Sequence, residues 1–420
     1  MTDANFAHPT SSTSFVHPHP VAGVGRTILF VTGAEIDWGG GGHELWSRTA
    51  LYLAGRGISV CASVPEATAQ QPQTRELQAQ GVDLWPRPNW YSWLDHPLRR
   101  IKSRRRASTV IEVERLVRAH PPLLVVLSEG HPFPPLELLE FCAGNRLPFV
   151  TITQYNWSNW YRDDIAERHR LAASTALRCF FVSMANWRQT EKQFGGELVN
   201  AEVVRNPFKV SYDVSLPWPR LHQDGDLRLA CVGRLDPAQK GQDILLEALA
   251  TPCWRQRQWS LSLYGNGPVR QTLERLAQKL GVSDRVVFAG FCPVEEIWAK
   301  NHVLVVPSRF EGLPLALVEA MLCARPVVAT DVAGHAEIVQ DGVTGFLAEA
   351  ATPSSIANAL ERFWINRAAA ESIGKAGRRR ITQLVPPDPV RVFAEKLQAL
   401  AGLQMTTEAP ETHDRATLSS

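Results

Sequence analysis

Two glutamates, Glu311 and Glu319, stand eight positions apart around Gly312, Leu313, Pro314 and Leu315, with an apolar run (303–306) before them and a helix-like segment after. The fixed φ of Pro314 and its missing N–H suit the first residue of a helix. Glu311 then lies in the loop, and Glu319 about one and a half turns into the helix. The free N–H groups of such a helix start, at the carboxyl end of a strand, attract phosphate. The carboxylates can accept hydrogen bonds from hydroxyls, Glu319 from a ribose and Glu311 from a sugar. Either acid taken alone reads equally well as a solvated surface residue.

The neighbouring loops change that balance. Gly233 and Arg234 follow the apolar run 227–232, with Lys240 and Gly241 a few residues on, so a guanidinium fork and an ammonium stand at the same sheet edge. A diphosphate bound without metal needs this pair of cations. Gly265 and Gly267, followed by Pro268, close the next run (261–264), where glycines let backbone approach a ligand. The third glycine of a dinucleotide fingerprint is missing there, which speaks against a nicotinamide-dependent dehydrogenase.

These loops need a sheet behind them. From residue 27 short apolar runs alternate with helix-length segments, the pattern of parallel strands and crossover helices. The runs 28–31, 58–64, 123–127, 149–153 and 179–182 predict one doubly wound unit, and 227–232, 261–264, 286–289, 303–306 and 326–329 a second. Residues 39–42 form a glycine-rich loop opening the first helix. The expected division is a tail (1–25), an acceptor-binding N-terminal domain (26–205), a Pro- and Asp-rich linker (206–226), a donor-binding C-terminal domain (227–385), a helix (386–403) that returns to the N-terminal domain, and a loose tail (404–420). The fold class is α/β, two Rossmann-like doubly wound domains facing across a cleft.

At 420 residues the chain exceeds the roughly 250–300 at which single cores stop growing. A net charge of +2 gives no field for nucleic acid. One local patch, Arg99, Arg100, Lys102, Arg104, Arg105 and Arg106, follows Trp85, Trp90, Tyr91 and Trp93, a pairing that suits an anionic membrane surface or a lipid phosphate, with a solvated loop as the alternative. The seven scattered cysteines have no metal-type spacing, and Asp224-Gly225-Asp226 lacks further ligands, so no metal is expected. No apolar run reaches the roughly 18 residues of a membrane helix, and the first 25 residues have no apolar signal core, so a cytoplasmic or inner-face peripheral location is expected.

Together these elements resemble the retaining glycosyltransferases of group 1, or family four, which have the GT-B fold. The match is dense over 227–349 and includes Glu311 and Glu319, Gly233-Arg234 with Lys240-Gly241, Gly265 to Pro268, and the stretch 341–347. The resemblance implies transfer of a sugar from a nucleotide diphosphate donor, with no cofactor, to a glycan, lipid-linked or small-molecule acceptor, with retention. It gives Arg234 and Lys240 the diphosphate, Glu319 the ribose, and Glu311 with the backbone of Gly312, Leu313 and Leu315 the transferred sugar and its phosphate. Gly41 and Gly42 match the family's glycine loop near the donor phosphates. Where many relatives carry a His, this chain has Gln154, and a glutamine cannot act as a general base. The acceptor proton then leaves through the donor phosphate, or Glu129 or His131 takes it. A nucleotide-sugar epimerase or glycan phosphorylase on the same fold is the rival reading. Lys240 and Glu319 are expected at the open edge of the cleft.

Overall fold

The computed structural model describes residues 27–33, 41–87, 108–129, 133–157, 159, 161–220 and 226–403. Both tails, the basic run 99–106 with Trp90, Tyr91 and Trp93, His131, the side chain of Glu129, and Asp224-Gly225 lie outside the described residues.

The chain folds into two parallel sheets. The first holds β1 (Thr27–Thr32), β2 (Ser59–Pro65), β3 (Val82–Arg87), β4 (Leu124–Glu129), β5 (Phe149–Thr153), β6 (Arg178–Phe181) and β7 (Ala201–Val203) in the order β3-β2-β1-β4-β5-β6-β7. The second holds β8 (Leu227–Val232), β9 (Trp259–Tyr264), β10 (Val286–Gly290), β11 (Val303–Val306), β12 (Val327–Thr330) and β13 (Gly345–Ala348) in the order β10-β9-β8-β11-β12-β13. Helices cover both faces, so the central strands are mostly buried and read as largely apolar runs. Leu229 of β8 sits in register between Leu261 and Val303, and the connection reverses direction between β8 and β11. Loops leaving the carboxyl ends at such a reversal diverge and leave a crevice.

Three strands have no counterpart among the runs read from the sequence. β3 carries Asp83 and Pro86 and forms a sheet edge, where a missing N–H is tolerated. β7 has three residues, and β13 starts within the stretch 341–347 that was matched as a motif. The segment after β7 is not a free linker: Phe208 and Val210 are buried in the core beneath β11 and β12. The helix Pro389–Leu400, capped by Asp388 accepting from the Arg391 N–H, packs on the first sheet. Phe393, Ala394 and Leu397 are buried there beside Phe30, Trp46 and Phe180, and the Phe180 and Phe393 rings meet edge to face at 5.2 Å. Among the described residues no helix is long and apolar enough to cross a membrane.

Candidate active site between the two sheets

The loops after β8 and β11 meet at the reversal. Lys240 ends the short helix Pro237–Lys240, and its Nζ lies 2.6 Å from Glu311 Oε1. The Ser308 hydroxyl donates to the same oxygen at 2.8 Å, and Glu311 is only 5% exposed. The Arg309 guanidinium clasps both oxygens of Asp243 at 2.8 Å, which fastens this loop to the helix Gln242–Leu249 and fixes where Glu311 points. Arg234 turns outward and pairs with Asp236 at 2.7 Å, while its own carbonyl accepts from the Gln242 amide. Gly265 holds φ at 120°, and a Cβ there would stand 2.2 Å from the Gly233 carbonyl oxygen, so the β8 and β9 loops touch through backbone alone. Gly267 lies equally close to the Leu235 carbonyl.

Glu319 differs from expectation. Pro314 is the N-cap of the helix Leu315–Leu322 rather than its first turn, and Glu319 is 4% exposed instead of lying at an open edge. The segment following the first sheet covers it: the Lys209 N–H donates to Glu319 Oε1 at 2.9 Å, and Lys209 Nζ reaches Glu44 at 2.9 Å. Burial pushes the Glu319 carboxyl up to about 7, against the Lys209 hydrogen bond and charge and with the help of Glu44 and Glu295. Lys240 and Glu311 are thus brought into one ion pair, whereas Arg234 and Glu319 have other immediate partners.

The first sheet supplies the facing wall. Gly41 and Gly42 open the helix Gly41–Ala54, Gly41 against the Asn206 side chain and Gly42 against Gln154. Gln154, directly after β5, accepts a hydrogen bond from Asn206 at 2.9 Å. A Cβ on Gly312 would sit 1.9 Å from the Gln154 carbonyl oxygen, so the two halves are in backbone contact one residue from Glu311. Around this point Phe310 meets Tyr155 at 5.9 Å and Trp157 at 5.8 Å. Further along the seam Glu337 accepts from the Ala185 N–H at 2.7 Å, at the start of the helix Met184–Phe194, and pairs with Arg205 at 3.5 Å. Leu313 is buried and Leu315 half-buried beside the loop. Among the described residues no cluster of three His, Cys, Asp or Glu side chains could hold a metal ion.

Sequence reasoning missed Ser308, Lys209, Glu44, Asn206 and Glu337. Ser308 precedes Glu311 by three residues and was legible as a loop hydroxyl. The others act over separations of 52 to 165 residues, and local spacing carries no trace of them.

Two parallel α/β units whose strand-end loops meet across a seam define the GT-B fold. The crystal structure of Anabaena Alr3699/HepE in complex with UDP shares it at a TM-score of 0.67 and 20% identity, over 89% of this chain and 100% of that one. Residues 226–366 match the family described as glycosyl transferases group 1. Within the curated proteins, a GDP-mannose-dependent alpha-(1-6)-phosphatidylinositol monomannoside mannosyltransferase of Mycolicibacterium smegmatis is 36% identical over 160 residues, 36% of this chain and 42% of that protein. Alpha-D-kanosaminyltransferase of Streptomyces kanamyceticus is 37% identical over 134 residues, 31% of this chain and 34% of that protein. The chain therefore spans less than half the length of these curated relatives. The matched family segment contains Gly233, Arg234, Lys240, Gly265, Gly267, Glu311 and Glu319, whereas Gly41, Gly42 and Gln154 lie outside it.

Proposed function

We propose that the protein is a glycosyltransferase that moves a sugar, with retention, from a nucleotide diphosphate to a glycan, lipid-linked or small-molecule acceptor. The observation that carries this reading is the part-buried Lys240–Glu311 pair at the strand reversal, one residue from the backbone contact between Gly312 and Gln154. A cation is held there for phosphate beside a carboxylate for hydroxyls, where two halves can close on a ligand and exclude water.

In this reading residues 227–385 bind the donor and 26–205 the acceptor. Lys240 and Arg234 take the diphosphate, Arg234 by exchanging Asp236 for phosphate oxygens. Glu311 and the Gly312 backbone take the sugar, and Glu319 the ribose. Gly41 and Gly42 bring an open helix start to the same anion. Without a base at Gln154, the acceptor proton leaves through the donor phosphate on the same face, or through Glu129 or His131.

Incubation with radiolabelled UDP-glucose and GDP-mannose and a mixed glycan and lipid acceptor pool is the test. Free nucleoside diphosphate with label on an acceptor supports transfer. An altered nucleotide sugar with no transfer replaces it with epimerisation. The basic run 99–106 would seat the enzyme on anionic membranes, so replacing its six cations with Gln should abolish co-sedimentation with phosphatidylglycerol vesicles.

A further inference from the structure

A buried histidine stands close to the Lys240–Glu311 pair, and both charges act on it. His335 opens the short helix His335–Ile338 after β12 and has no solvent exposure. Its Nδ1 lies 2.7 Å from the Thr330 carbonyl oxygen at the end of β12. A carbonyl only accepts, so Nδ1 carries the proton, and Nε2 of the neutral ring is a bare acceptor. That nitrogen is sealed from solvent with no partner among the described residues. Burial holds the ring's pKa below the ordinary 6.5, against Glu311, the Thr330 bond and Asp331 and with the help of Lys240, so the ring is uncharged at neutral pH. A leucine would fill the same space without burying an unpaired acceptor. Packing therefore does not account for a histidine at this position, and its Nδ1–H does.

The bond from His335 closes the turn after β12, and that turn grips the Glu311 loop at both ends. On one side the Thr330 hydroxyl donates to the Ser308 carbonyl at 2.7 Å, and the Ser308 hydroxyl in turn reaches Glu311 Oε1. On the other the Gly334 N–H donates to the Gly312 carbonyl at 3.1 Å, one residue past Glu311. His335, Thr330, Ser308 and Glu311 are all buried, so water does not compete for these bonds. Glu337, on the same short helix, meets the Ala185 N–H and Arg205, so docking of the two halves bears on the same turn. We propose that His335 is a positioning residue for Glu311: its Nδ1–H pins the turn that holds Ser308 and Gly312, and thereby sets the carboxylate where the transferred sugar needs it. The inference rests on the donor reading given above.

The experiment measures release of UDP from UDP-glucose and of GDP from GDP-mannose by the full chain, with a mixed glycan and lipid acceptor pool, and calorimetric binding of UDP and GDP alone. It compares the wild type with His335→Leu, which fills the space without a donor, His335→Asn, whose amide N–H falls where Nδ1–H was, and Thr330→Val, which takes the hydroxyl from Ser308 at constant shape. The Val332 N–H also reaches the Thr330 carbonyl, so that oxygen stays paired in every variant. The expected result is a fall in kcat of about tenfold in His335→Leu and Thr330→Val, with affinity for the matching bare diphosphate changed less than about twofold. His335→Asn should return kcat to within about threefold of the wild type. Wild-type kcat in His335→Leu, an Asn variant no better than Leu, or an equal loss of diphosphate affinity overturns the inference and leaves the donor reading standing. If His335→Leu does not fold, wild-type kcat in Thr330→Val overturns it. A wild type that releases neither diphosphate overturns the donor reading and this inference with it.

Discussion

Glu311 is a carboxylate almost sealed from water, with its charge met by Lys240 and its second hydrogen bond by Ser308. Removing one partner of such a pair leaves the other charge buried and costs more than the pair contributed. Lys240→Ala should therefore lower nucleotide-sugar turnover by about 100-fold and also lower the melting temperature, and kinetics with thermal melts separate the two effects. Wild-type turnover in a folded Lys240→Ala protein would discredit the site. Glu319 makes a different prediction. Its carboxyl binds a proton more tightly in the folded chain, up to about 7, than at its usual 4.5. The stability it contributes is complete below about pH 4.5 and is lost as pH rises through about 7. Glu319→Gln, neutral throughout, should gain on the wild type by up to about 3 kcal/mol between pH 4.5 and pH 8, read by urea melts at both pH values. A constant difference between the two proteins would show that the carboxyl does not titrate in that window.

At the scale of elements, what was legible followed from burial on both faces. The runs around Leu304 and Val328 announce strands because every position is apolar, those around Leu229 and Leu261 because most positions are, and Gly233 and Gly265 mark where a strand gives way to a loop while Pro314 marks where a loop gives way to a helix. Lys240 and Glu311 could be read because they sit in those loops. β3 escaped because an edge strand can hold Asp83 and Pro86, and Glu319 was misplaced because what covers it, Lys209, comes from 110 residues away. The helix Pro389–Leu400 showed its amphipathic pattern, but its seat on the first sheet depends on Phe180 and Trp46 far upstream. Its weight can be measured. Phe393 is fully buried against Phe180, so Phe393→Ala should destabilise the chain by about 3–5 kcal/mol in denaturant melts. A loss under about 1 kcal/mol would mean that the helix is only loosely docked.

Across the whole molecule, the closed state depends on the absence of a side chain at Gly312. A methyl there would overlap the Gln154 carbonyl and approach Val182 Cγ2 to 2.7 Å, so Gly312→Ala should hold the halves apart. Small-angle scattering should then give a larger radius of gyration that does not contract on adding nucleotide sugar, with at least a tenfold fall in turnover. An unchanged radius with normal turnover would show that the contact is dispensable. The polypeptide passes from one half to the other twice, once after β7 and again between Leu384 and Pro389, and these passages border a cavity of about 300 Å³ shared by Arg205, Pro386 and Phe393. Two adjacent tethers act as the two pins of a door. Such a pair of tethers would permit swinging about the line that joins them and resist sliding or twisting apart, so a swing of the halves would return Gly312 to the same point on Gln154. Pro386, Pro387 and Pro389 stiffen the second pin, and the cavity lies directly beside it.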